Sequence, residues 1–211
     1  NLITYDASGN PAAVATGSAT NILTSNGAGA APTFQAAAAG GAWTLIGTSV
    51  ASSSANLTVT GLDTSTYESF AIRITNLVAA SEASFWIRLG DSSGIDSGAS
   101  DYNWVGLKQR AGSTAVAANG SQAASSIIAD AGMGTGTGEN LSCTMWLSAA
   151  AATDYPNLTY HVLNYSSTPD SQNVVGGGTR SAAIDVTQIQ VLASTGNLAS
   201  GRMTVWGVSH A

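Results

Sequence analysis

Leu141-Ser-Cys-Thr-Met-Trp-Leu147 puts Leu141, Cys143, Met145 and Leu147 at every second position, with Ser142, Thr144 and Trp146 between them. A period of two places the first set on one face of an extended strand and the second set on the other. The pattern continues outward in both directions. Phe70, Ile72 and Ile74 oppose Ala71 and Arg73, and Phe85, Ile87 and Leu89 oppose Trp86 and Arg88. Leu158, Tyr160 and Val162 repeat it, as do Met203, Val205 and Gly207. Further β-prone pieces span 44–50, 55–60, 102–108, 121–128, 172–176 and 184–192, with Gly, Asn, Asp or Ser in the turns. Helical periodicity is nearly absent. About ten short strands of this kind predict an all-β fold, an antiparallel two-sheet sandwich of jelly-roll-like type, over residues 43–211.

Residues 1–42 differ. Asn1 to Pro11 reads as a short strand followed by a turn. Asn26-Gly27 is a turn signal between the short pieces 22–24 and 33–35. Residues 36–41 are small and read as a linker. Leu2, Ile3, Tyr5, Ile22, Leu23 and Phe34 are most of the large apolar groups here. So little apolar area does not offset the entropy of ordering this stretch by itself. It is expected to be an extended attachment segment, ordered by packing against identical copies through Ile22, Leu23 and Phe34. The alternative is a disordered tail.

Composition excludes several classes of function. Charged residues are 9% of the 211 and the net charge is −6, against about a quarter charged in an average soluble protein. No cluster of Lys and Arg is present to replace counterions on nucleic acid or to bind an anionic membrane surface. No apolar run reaches the roughly 18–20 residues of a membrane-spanning helix. The sequence opens at Asn1 without a basic segment leading into an apolar one, so no signal peptide is expected. The single cysteine, Cys143, cannot form an intrachain disulfide. It reads as a small buried hydrophobe, because no base or cation adjoins it in sequence.

Candidate chemistry is sparse. His161 is mid-strand and His210 is close to the last residue, and no Gly-x-Ser-x-Gly elbow follows a buried parallel strand. The three glutamates, Glu68, Glu82 and Glu139, fall at or near strand starts, where acids blunt edges and solvate turns. No catalytic residue and no cofactor is expected. Asp91, Asp96 and Asp101 lie in one loop and offer oxygen ligands of the kind Ca²⁺ takes. Asp and Gly are equally what tight turns use, and no metal is assigned. Trp86, Trp146 and Trp206 sit out of phase with the aliphatic residues of their strands and are expected to face outward. A loop, a neighbouring subunit or a sugar ring would cover them, unless both sheet faces are buried. Tyr102, Trp104 and Trp146 are the candidate ligand contacts.

The segment Leu23-Thr-Ser-Asn-Gly-Ala-Gly-Ala-Ala-Pro-Thr-Phe-Gln35 resembles a short repeat common in tail-fibre and other appendage proteins of tailed bacteriophages. Residues 67–76, Phe85-Trp-Ile-Arg-Leu89, 96–102 and 194–208 are similar to parts of a phage structural β-sandwich. The resemblance implies a virion protein, usually a homotrimer, that joins other virion proteins, and it transfers no catalytic residue. The expectation is a non-enzymatic tail-fibre component located on the virion, exposed for attachment to host-surface glycan. Partners would be itself, other virion proteins and glycan, without nucleic acid or membrane insertion. The alternatives are a capsid decoration protein or head fibre, and a polysaccharide-degrading tail spike.

Overall fold

Turn residues between short β-prone pieces make hairpins at the start of the chain. The computed structural model describes residues 2–6, 8–36, 42–148, 153–166 and 170–209. The chain divides into two compact units, residues 1–41 and 42–211. In the first, β1 (Ile3–Tyr5) pairs antiparallel with β2 (Pro11–Ala13). The Asp6 carboxylate closes that turn by accepting the amides of Ser8 and Asn10 at 2.8 and 2.9 Å. Next, β3 (Asn21–Thr24) pairs with β4 (Thr33–Ala36), setting Leu23 opposite Phe34. Asn26 bridges this second hairpin by donating to the Ala31 carbonyl at 2.7 Å. Phe34 is half-buried, but Leu2, Ile3, Tyr5, Ile22 and Leu23 are exposed. Two-stranded hairpins with this little covered apolar area are marginal by themselves. Residues 37–41 of the expected linker, and His210, lie outside the described residues.

The second unit is built from β5 (Trp43–Ser54), β6 (Asn56–Thr60), β7 (Ser69–Ala79), β8 (Ala83–Asp91), β9 (Gly94–Ile95), β10 (Tyr102–Arg110), β11 (Val116–Ala124), β12 (Ile127–Met133), β13 (Asn140–Ser148), β14 (Asn157–Ser166), β15 (Asp170–Arg180), β16 (Gln188–Ala193) and β17 (Leu198–Val208). One sheet runs β11-β10-β15-β14-β13-β7-β17-β5 and the other β12-β8-β16-β6, with β9 on β8. Every pairing is antiparallel. Removing the hairpin β10–β11 and the pair β14–β15 leaves two four-stranded sheets, β13-β7-β17-β5 and β12-β8-β16-β6. Their strands follow the jelly-roll order, crossing between sheets at every step except β8 to β12. The two insertions both add to the same sheet and widen it to eight strands.

Alternation then fills the interior. Phe70, Ile72, Ile74, Leu141, Met145, Leu147, Met203 and Val205 from the wide sheet meet Leu57, Phe85, Ile87, Leu89, Ile189 and Val191 from the narrow one. Cys143 is fully buried among them. Burial, the dominant cause, pushes its thiol far above the usual range, so it is an inert core residue.

The inserted strands lean onto β12. The Tyr160 hydroxyl donates to the Ile128 and Val105 carbonyls at 3.3 and 3.4 Å, and the Asn164 amide donates to the Gly132 carbonyl. Gly176 is required under Tyr160: a Cβ there would lie 2.4 Å from both the Tyr160 hydroxyl and the Val105 carbonyl.

Several boundaries differ from the sequence reading. Residues 121–128 are not one strand, since β11 ends at Ala124 and β12 begins at Ile127. The strand expected over 184–192 begins at Gln188. Residues 116–120 are strand despite their small side chains, because they pair in register with β10 as the edge strand of the sheet.

Tyr102 corrects a site expectation. It is fully buried, and its hydroxyl donates to the Leu89 and Asp96 carbonyls at 2.9 and 3.0 Å while accepting the Leu89 amide at 2.8 Å. It pins the 91–101 loop to β8 and leaves no exposed surface for a ligand to meet. The same loop is clamped by Arg180, which pairs with Asp96 at 2.8 Å and Asp101 at 3.2 Å. Asp91 accepts the Ser93 amide at 2.7 Å. These contacts account for all three carboxylates, and no group of three or more His, Cys, Asp or Glu is placed to hold a metal ion among the described residues. Tyr102→Phe should lower unfolding stability by about 1–3 kcal/mol, the cost of stranding a buried amide. Urea denaturation at unchanged m-value would measure it.

Candidate functional site on the outer face of the wide sheet

Strand pairing builds the outer face in rows. In one row Leu45, Trp206, Ala71, Trp146, Thr159, Gly177, Val105 and Gly120 are successive cross-strand partners. In the next, Thr48, Thr204, Arg73, Thr144, His161, Val175, Leu107 and Ala118 are. Each side chain here is out of phase with the aliphatic residues of the core, so all face away from it.

The rows divide into an aromatic half and an aliphatic half. Trp146 and Trp206 flank Ala71, which is buried between them although it faces outward. Trp43 meets Trp146 edge-to-face with ring centroids 5.4 Å apart and lies 6.4 Å from Trp206. Trp43 and Trp146 nonetheless remain 50% and 43% exposed. Beside them Arg73 donates to the Thr144 hydroxyl at 2.6 Å, and Thr48 and Thr204 meet at 3.4 Å. Across the sheet, Val105, Leu107, Leu163 and Val175 form an exposed aliphatic patch. His161 bonds to the Asn173 side chain at 2.6 Å on the same face.

A shallow groove of about 430 Å³ runs over Gly177 and Gly178 next to Thr159. Asn103, Asn157, Gln122 and Thr179 supply its polar edge and Val105 an apolar one. The Asn103 side-chain oxygen is buried there without a hydrogen-bond partner.

The exposed large hydrophobic residues of the sandwich concentrate on this one surface. Trp43, Leu45, Val50, Val105, Leu107, Val116, Trp146, Leu163, Tyr165 and Val175 all lie on it, and Tyr155, in the loop before β14, is the exception. Scattered exposed apolar groups are ordinary, whereas a contiguous set on one face marks a contact surface.

The three residues expected to contact ligand are therefore not brought together. Tyr102 is core. Trp104 packs against the core, contributes to the lining of the groove, and walls a second cleft of about 340 Å³ between β10–β11 and β12, with Lys108, Asn119, Ser84 and Ile128. Trp146 is on the outer face. Sequence reasoning missed Trp43 and Arg73 as neighbours of Trp146. The signal was available for Trp206, which shares its out-of-phase position, but not for Trp43, whose strand carries no clean alternation. Trp86, the third out-of-phase tryptophan, lies on the narrow sheet under the Arg88 guanidinium, 5.7 Å from the ring centroid.

Comparison with protein-family models, with curated proteins and with solved structures finds no match to this chain.

Trp146→Ala removes one ring of the edge-to-face pair with Trp43. It should cost about 0.5–1.5 kcal/mol, read as a shift in urea midpoint with the core intact.

Proposed function

We propose that this chain is a non-enzymatic virion appendage protein, a tail-fibre component whose sandwich attaches to host-surface glycan through the outer face of its wide sheet. The observation that carries the reading is the gathering of exposed hydrophobic residues on that one face, with tryptophan rings near threonine and arginine side chains and asparagine amides along the groove. Sugar recognition needs this mixture: a flat apolar ring for the C–H face of a pyranose, and amide or hydroxyl groups for its hydroxyls. The resemblance of residues 23–35 to phage appendage repeats supports the same reading.

Self-assembly belongs to it. Ile22 and Leu23 are exposed on a hairpin that has almost no core, and identical copies packed about an axis would cover them. Several weak sugar contacts on one assembly then gain from effective concentration. Catalysis has little support in the residues present. Cys143 is inert, and His161 is held by Asn173 rather than by an acid and a nucleophile.

Two measurements test the proposal. Light scattering should give a trimer for the full chain and a lower mass after removal of residues 1–42; an undiminished trimer would rule out the N-terminal contacts. Fluorescently labelled full chain should bind bacterial capsule or lipopolysaccharide and release no new reducing ends. Binding that is absent across a broad panel of surface polysaccharides would defeat the attachment role, and release of reducing ends would make the protein an enzyme.

A further inference from the structure

The cations of this acidic chain are not spread evenly. The strands of the wide sheet carry Arg73, Lys108, Arg110, Arg180 and Arg202, five of the six Lys and Arg in the sequence. They carry one of its twelve Asp and Glu, Asp170. Lys108, Arg110 and Arg180 fall on the inner side of the sheet, in phase with Tyr102 and Gly106, and Arg180 is engaged with Asp96 and Asp101. Arg73 and Arg202 are different: both are exposed on the outer face, and neither has a carboxylate partner among the described residues. Arg73 occupies the row beside Trp146 and Trp206, and Arg202 follows one row further, opposite Val50 and Thr75.

A protein of net charge −6 repels a polyanion over most of its surface. This patch is where it would not. From the physical arrangement we infer that the outer face takes an acidic polysaccharide, one whose sugar units carry carboxylates. The inference rests on reading this face as the glycan-attachment surface and names the class of glycan. A pyranose ring lies on Trp146, with Trp43 at its edge, and its carboxylate reaches the Arg73 guanidinium, which Thr144 already holds in place. Charge-assisted bonds from a pre-positioned guanidinium to a carboxylate are among the stronger polar contacts available at a surface. The chain then crosses Thr159 into the groove over Gly177, where the Asn157 and Gln122 amides and the Thr179 hydroxyl line the path of the sugar hydroxyls. From β7 to β15 is three strand spacings, roughly 14 Å, a length that a short run of sugar units covers.

Affinity electrophoresis of the full chain tests this. The gels would contain polyglucuronate, polygalacturonate or polysialate as acidic polymers, dextran or mannan as neutral ones, and polyglutamate as charge without a sugar ring. At least one acidic polysaccharide should retard the protein, while the neutral polymers and polyglutamate do not. Retardation should weaken as salt is raised from about 0.05 to 0.5 M, because exposed charges are screened over that range. Arg73→Gln and Trp146→Ala should each weaken it about tenfold, the scale of one charge-assisted bond or one stacked ring. Arg73→Lys should restore part of the loss.

Three results overturn the inference. Retention on neutral polymers alone, or acidic retention that Arg73→Gln leaves intact, removes the acidic-glycan assignment and leaves glycan attachment standing. Equal retention on polyglutamate shows that charge suffices without a ring. Absence of retention on every polysaccharide removes this inference together with the attachment reading it rests on.

Discussion

An eight-stranded sheet that packs a five-stranded one on one side leaves its other side without a partner among the described residues of the same unit. Everything notable about this molecule follows from that imbalance. Period-two alternation sends one set of side chains into the shared interior and the other set outward, and the described residues of the second unit supply no third layer to receive it. Both insertions enlarge the same sheet, so the bare face grows with each while the opposing sheet stays as it was.

The widened sheet survives because its inserted strands are tied back. Tyr160 and Asn164 reach across to carbonyls of β12, and the glycines of β15 allow that approach. Gly176 lies under the Tyr160 hydroxyl, and Gly177 and Gly178 floor a groove on the opposite face. One run of small residues thus serves the packing on one side of the sheet and the relief of its surface on the other. The loop between β8 and β10 is secured separately, by buried Tyr102 and by Arg180 between two aspartates. These polar contacts engage the loop's carboxylates and its tyrosine hydroxyl in holding the loop to the fold.

On the outer face the aromatic and aliphatic halves have different characters. The aromatic half joins three tryptophans to arginine and threonine, suited to a ligand with both apolar and hydrogen-bonding surface. The aliphatic half offers Val105, Leu107, Leu163 and Val175 with little polar relief. Surfaces of the second kind are those that copies of a protein, or a neighbouring protein, cover in an assembly. The N-terminal hairpins, with Ile22 and Leu23 exposed, present the same need in a separate unit.

The sequence by itself determined the all-β class, the alternating core residues from Phe70 to Val205, the inert Cys143 and the outward set of Trp146 and Trp206. Each of these depends on side-chain period, which is local and survives whatever the strand pairs with. Only the tertiary structure decided which strands are neighbours, and pairing is non-local. It set Arg73 opposite Thr144, 71 residues apart in sequence and in the row beside Trp146, and brought Trp43 onto the same cluster. It drew Tyr102 into the core, because the 91–101 loop folds over β8 and needs a buried hydroxyl to satisfy its backbone. It also divided the expected ligand residues between core, cleft and outer face, since Trp104 and Trp146 lie on opposite sides of one sheet and no periodicity within either strand reports on the other.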